Sequence, residues 1–346
     1  MTRALFASMA LIVLVGAPRH AAWQAAGPAL PQGLDAYVAK VVKPTPAERQ
    51  SLIAGEPFAK LLVADETKEV AVFGAVWVNA PIRRYIDAVR DIETLESGGG
   101  FQITKKISTP PVASDFDRLQ LPDDDVADLQ SCRVGSCEVK LGEQALQRFR
   151  DEVNWKGSDT VAQASALMRR LALQYVTGYL EGGNARLAVY RDSSRPTFVA
   201  EELRGMIDGM PELAASIPDV RRYLLEYPAA TLQGAESFLY WQQAVFGLKP
   251  TIRINHLTIS QRATDAIVVS KMLYATHYFW TGLELRLLLA APSRTDGFWF
   301  VTLNRSRSDG LSGFTGRVLR GRVQTEVLTG ALNGLRATKQ RMEQSR

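Results

Sequence analysis

The sequence predicts an α+β fold: an antiparallel sheet with a long C-terminal amphipathic helix, and a largely helical stretch inserted in the middle. Three observations carry this. From residue 249 onward β-branched and aromatic runs at 251–260, 266–279, 283–291 and 298–304 read as strands, separated by turn signals at Thr281-Gly282 and at 293–297. Leu319, Val323, Val327, Ala331 and Leu335 then recur at steps of four, with Leu328 and Leu332 beside them, which is the stripe of one long helix. Between residues 114 and 240 helix signals punctuated by proline and glycine replace the strand pattern.

Taken in order, Arg3 and the apolar run at 4–16 have the charge and length of a secretory signal, too short to span a bilayer. Residues 1–27 are assigned to it, with cleavage before Leu30 and a periplasmic or secreted destination. The leader at 28–48 is broken by Pro31, Pro44 and Pro46, and order is expected to begin near Pro46. Residues 49–113 form the N-terminal part of the core: the strand EVAVFGAVWV at 69–78, a helix opened by Asn79-Ala80-Pro81 and carrying Tyr85, Ile86, Val89 and Ile92, and a strand at 101–108. Residues 114–248 form the helical insertion or subdomain, with a helix from Ser158-Asp159 to Gly182-Gly183 and shorter ones at 201–207, 218–226 and 232–246. Asp123, Asp124 and Asp125 lack the alternation of a calcium loop and read as acids favoured at a helix N-terminus. Residues 249–346 complete the fold with the meander and the terminal helix.

Composition excludes some classes of function. With 46% hydrophobic and 22% charged residues the chain is that of a packed protein, and no stretch after the signal can span a membrane, because Glu284 and Arg286 interrupt the most apolar one. The net charge of +5 is scattered and accompanies no nucleic-acid motif; in an exported protein it favours an envelope surface. Cys132 and Cys137 are spaced to close a small loop around Gly135, so an exported chain is expected to oxidise them to a disulfide; the spacing is not that of a C-x-x-C redox pair. No metal-ligand set, nucleophile elbow or phosphate loop is present, and no cofactor is implied.

The run VAVFGAVWVNAPIRRYIDAVRDIETL at 70–95, together with residues 251–344, resembles the START-like helix-grip superfamily, which includes lipid-transfer domains, ligand-binding plant proteins and aromatic cyclases. The two segments cover about half of the chain, and the long middle insertion is a departure from that pattern. The resemblance implies a curved antiparallel sheet gripping the terminal helix around an apolar cavity for a lipid or another hydrophobic molecule. Lys271, Tyr274, His277, Phe279, Phe298, Phe300 and Arg305 are the candidate ligand-binding residues, with Gly316, Gly321, Gly330 and Gly334 on the facing helix. Arg305, Ser306, Arg307 and Ser308 either bind an anionic head group at the cavity mouth or form a solvated loop, and the loop is preferred.

Two other classes of function stay open. His256 and His277 are candidate catalytic bases for a cyclase or hydrolase in the same cavity, although a lone strand histidine more often holds structure. An envelope interaction or scaffold protein would instead show a large exposed apolar patch.

Overall fold

In the computed structural model, which describes residues 28–245, 249–311 and 313–344, the proline-rich N-terminal stretch forms short helices. The expected signal segment at 1–27 and Phe246 lie outside these residues. Helix α1 (Gln32–Tyr37) runs into a single π turn over Val38–Val42, and Leu34, Val38 and Val42 are buried in the core. Order therefore starts well before Pro46: the prolines limit helix length, but the apolar residues between them still have a core to fill. Helix α2 (Pro46–Ile53) is set by a capping box between Thr45 and Glu48, with Pro46 in the first turn.

The sheet is then laid down in two instalments. Strands β1 (Phe58–Leu61) and β2 (Glu69–Val78) pair antiparallel, helices α3 (Ile82–Arg90) and α4 (Ile92–Leu95) follow, and β3 (Phe101–Lys106) forms one edge. The middle region comprises α5 (Asp123–Ser131), α6 (Glu143–Glu152), α7 (Thr160–Gly182), the small hairpin β4 (Val189–Tyr190) and β5 (Thr197–Phe198), and α8 (Val199–Asp208), α9 (Pro211–Ser216) and α10 (Pro218–Glu226). Cys132 and Cys137 form a disulfide just after α5. The second instalment is β6 (Glu236–Val245), β7 (Pro250–Gln261), β8 (Asp265–Ala275), β9 (Phe279–Ala291), β10 (Arg294–Ser308) and the long helix α11 (Gly313–Gln344). The eight-stranded sheet has the order β1-β2-β10-β9-β8-β7-β6-β3, with every neighbouring pair antiparallel.

Three local expectations are corrected. Within the segment at 232–246, expected to be a helix, Glu236–Val245 is strand β6: Leu239 and Trp241 face one layer while Phe238 and Tyr240 face the other, a period of two with bulky β-formers between β3 and β7. Thr281-Gly282 is not a turn but lies inside β9; the chain reverses one step earlier, at Thr276 to Tyr278, where Tyr278 adopts φ 60°. Residues 305–308, preferred as a solvated loop, continue β10, because Glu69 and Glu202 neutralise Arg305 and Arg307 there and let the strand stay buried.

Both faces of the sheet are covered, so its strands are apolar on both sides. On one face Phe298, Phe300, Val76, Val78 and Leu288 pack against Tyr85, Ile86, Val89 and Ile92 of α3 and α4 and against Leu335 and Met342 of α11. On the other, Phe73, Trp299, Val301, Leu303 and Leu285 belong to one core shared with the N-terminal helices and those of the middle region. Alternation along each strand thus sorts residues between two cores rather than between core and water.

Candidate functional site

Helix α11 is fastened firmly at its C-terminal end. Arg341 donates to the carbonyls of Leu95 and Thr94 (2.9 and 3.0 Å), Arg84 to that of Met342 (2.6 Å), Lys339 to that of Trp77 (2.7 Å), and Glu343 accepts from the Asn79 backbone (2.8 Å). Leu335 approaches closely over Gly74, where a Cβ would stand 3.2 Å from the leucine and 2.7 Å from Thr302 Oγ1; only glycine lets the helix settle there. Toward its N-terminus the helix is less covered, with Val318 72% and Leu319 46% exposed.

The space left between α11 and the sheet is a cavity of about 580 Å³. Val70, Val72, Leu95, Met272, Phe300 and Leu335 supply its apolar walls, and Gly330 and Gly334, both exposed, line it on the helix side. A Cβ added to either glycine would meet no atom within 4 Å, so these glycines leave room rather than permit close packing.

The floor is polar. Arg286 is bound by Glu96 (2.9 Å) and Glu284 (2.6 Å), and Gln242 donates to the second oxygen of Glu96 (2.6 Å) while accepting from Arg253 (2.8 Å). Tyr240 and Ser270 share a hydrogen bond of 3.1 Å. Burial alone would raise the Glu284 carboxyl, but the charge and hydrogen bond of Arg286 outweigh it and hold that carboxyl below its ordinary value. Burial likewise pushes the Tyr85 hydroxyl up to about 12 against the opposing charge of Arg286. Asn304, cross-strand from Glu284, lines the same floor, and its Oδ1 is buried with no hydrogen-bond partner.

The sequence-selected residues divide between the two faces. Phe279, Phe300 and Arg305 border the cavity, although the Arg305 guanidinium reaches to the far side, where it binds Glu69 (2.6 Å). Phe298 packs on the cavity face among the residues beneath α3 and α4. Lys271, Tyr274 and His277 are on the opposite face. Tyr274 borders a second hollow, of about 520 Å³, beside α6 and α7, and its hydroxyl donates to the Lys140 carbonyl (2.8 Å). Among the glycines, Gly330 and Gly334 line the cavity, a Cβ at Gly316 would collide with Leu311 at 2.6 Å, and one at Gly321 would meet nothing.

Neither candidate catalytic histidine lines the cavity. His277 Nε2 is 2.9 Å from Asp125 Oδ1 and its Nδ1 is 3.1 Å from the Glu138 carbonyl, so both ring nitrogens face oxygens and the imidazole ties α5 to the β8–β9 turn. Asp125 thus does more than favour a helix start. His256 Nδ1 shares a 2.8 Å hydrogen bond with the Tyr179 hydroxyl inside a ring cluster with Tyr223 and Tyr227. Burial, then the charge of Lys271, holds this imidazole down to about 3. Lys271 donates to Asn184 Oδ1 (2.8 Å) and lies 5.1 Å from the ring centres of Tyr179 and Tyr227; burial lowers its amine to about 7. Asn184 is presented by Gly183, at φ 57°, where a Cβ would come within 2.0 Å of the Tyr227 carbonyl.

The polar cavity residues absent from the sequence-based set include Glu96, Arg253, Asn255, Ser270, Glu284 and Arg286. One signal for them exists: Glu284 and Arg286 stand two apart in a leucine-rich strand, and such spacing puts both charges on one face. Among the described residues no cluster of three potential metal ligands occurs, and no helix is long and apolar enough to cross a membrane. The chain matches no protein-family model, and no curated protein matches it.

Proposed function

We propose that this is an exported protein that binds a hydrophobic or amphipathic small molecule, such as an envelope lipid, between its sheet and its C-terminal helix. The observation that carries the proposal is the cavity of about 580 Å³ beneath α11. Its volume falls in the range of small-molecule sites, roughly 300–1,000 Å³, and such sites are mostly apolar with a few placed polar groups. The START-like reading is supported by strand order: β2 lies beside the last strand, a helix pair precedes β3 at the far edge, and α11 crosses the face between. The insertion covers the opposite face and leaves that arrangement intact. Export is supported by the disulfide, since such bonds persist in oxidising compartments.

The test is native mass spectrometry, followed by organic extraction, of the protein purified without detergent from its own host. A reproducible bound mass that transfers to the organic phase is the expected outcome. A clean unliganded mass with an empty extract would sink the proposal. The alternative of histidine catalysis in this cavity is not favoured, because both rings sit beyond the sheet from it.

A further inference from the structure

We infer that the hollow of about 520 Å³ beside α6 and α7 is a second ligand site, which takes an apolar molecule ending in a carboxylate. It lies on the opposite face of the sheet from the cavity under α11, and the two share no lining residue.

The first ground is the wall. Met168, Leu171 and Ala172 of α7 and Ile252 and Ile254 of β7 line the hollow, together with Tyr175 and Tyr274, whose ring centres are 6.0 Å apart. Both tyrosine hydroxyls are already bound, that of Tyr175 to the Leu273 carbonyl (2.7 Å) and that of Tyr274 to the Lys140 carbonyl (2.8 Å), so the rings offer apolar surface. Leu171 and Tyr175 are only half-buried, and a ligand that covers them removes apolar area from water. Gly178 of α7 also lines the hollow, and a Cβ there would meet no atom within 4 Å. A glycine weakens a helix, and no close packing requires this one; its effect is to widen the hollow.

The second ground is charge. Of the three charged side chains lining the hollow, two are matched. Arg148 donates to both oxygens of Glu152 (2.5 and 3.2 Å) and to Gln174 Oε1 (2.8 Å), and Glu143 stands 3.7 Å from Arg191. Glu152 is shared with Arg170 (2.9 Å), so the surroundings lean positive. The third is Arg186, in the 3-10 turn Gly183–Arg186 that follows α7; it is exposed, and among the described residues its guanidinium has no carboxylate or hydrogen-bond partner. It is nevertheless placed. Its stem lies over Gly182, where a Cβ would come 2.6 Å from the Arg186 Cγ and 2.9 Å from its Nε, so glycine at that position lets the arginine lie against the end of α7. A carboxylate matches the planar donor fork of such an arginine, an alcohol offers it one neutral acceptor, and a cation is repelled.

Decanoate and decanol share one chain length and differ in the charge of the head. Calorimetric titration of the full-length protein is expected to show a decanoate site about tenfold tighter than that for decanol. Arg186→Gln should remove that advantage and leave decanol binding as it was, and Arg186→Lys should restore part of it; the side chain is exposed, so neither change disturbs the core. Gly178→Trp, placed where no atom stands within 4 Å, should fill the hollow and eliminate this site for both probes.

Identical decanoate isotherms for wild type and Arg186→Gln overturn the inference, whether or not Gly178→Trp folds. So does decanol binding as tightly as decanoate at the site that Gly178→Trp eliminates, or no decanoate binding at all. Binding that neither variant alters belongs to the cavity under α11, which contains neither residue, and bears on the first proposal alone.

Discussion

Lys271 shows how a residue can be chemically unusual without serving a site. Its amine is buried against two tyrosine rings with one acceptor, and it lines neither the cavity under α11 nor the hollow beside α6 and α7. Burial lowers it to about 7 from 10.5, so between those values the unfolded chain holds a proton that the folded chain has lost. Stability therefore rises with pH across that window and is reduced below it. His256, held down to about 3 from 6.5, acts with the same sign at lower pH. Lys271→Met is expected to flatten the dependence between about pH 7 and pH 10, so that urea midpoints of variant and wild type diverge on going to neutral pH. Parallel midpoints across the window would show that the amine titrates normally in the folded protein.

Among the elements, α11 makes the clearest separate prediction. A glycine inside a helix costs about 1 kcal/mol relative to alanine, and at Gly334 an added methyl meets no atom within 4 Å. Gly334→Ala should raise stability by up to about 1 kcal/mol in denaturant titration; no gain, or a loss, would mean that the flank is more crowded than the structure shows. How much of the fold was legible differs from element to element for physical reasons. Strand β2 and helix α7 were readable to within a residue or two, because each has a strong period and a clear stop. Strand β6 was misread as a helix because ESFLYWQQAV carries apolar residues on both faces and sits beyond a long helical stretch; only its neighbours β3 and β7 decide its state. The space between sheet and α11 was expected only as what the resemblance to the START-like superfamily implied, not from any residue pattern of its own. Its polar floor was not legible, since Glu96, Gln242, Arg253 and Arg286 lie far apart in sequence and meet only through strand register and the α4 corner.

For the molecule as a whole, the buried cluster around Glu69 joins the sheet to the helical layer. Its two oxygens receive Arg305 and Arg307, and Arg307 continues to Glu202 on α8 (2.8 Å). A guanidinium left buried without its carboxylate is expensive, so Glu69→Ala should cost about 3–5 kcal/mol of global stability. Chemical denaturation would measure it, and a loss below about 1 kcal/mol would show that water or Glu202 takes over the role.

The pairing of β2 with β10 also bears on how the chain is made. β2 is among the first strands to emerge, buried along its whole length, and one of its two neighbours is encoded roughly 220 residues later. Until β10 has been synthesised, a run as apolar as VAVFGAVWV has an open edge, which is the kind of surface that associates with other chains. The burden of keeping the nascent protein apart from its neighbours therefore falls on whatever holds it during synthesis, and it ends only when almost nine-tenths of the chain has been made.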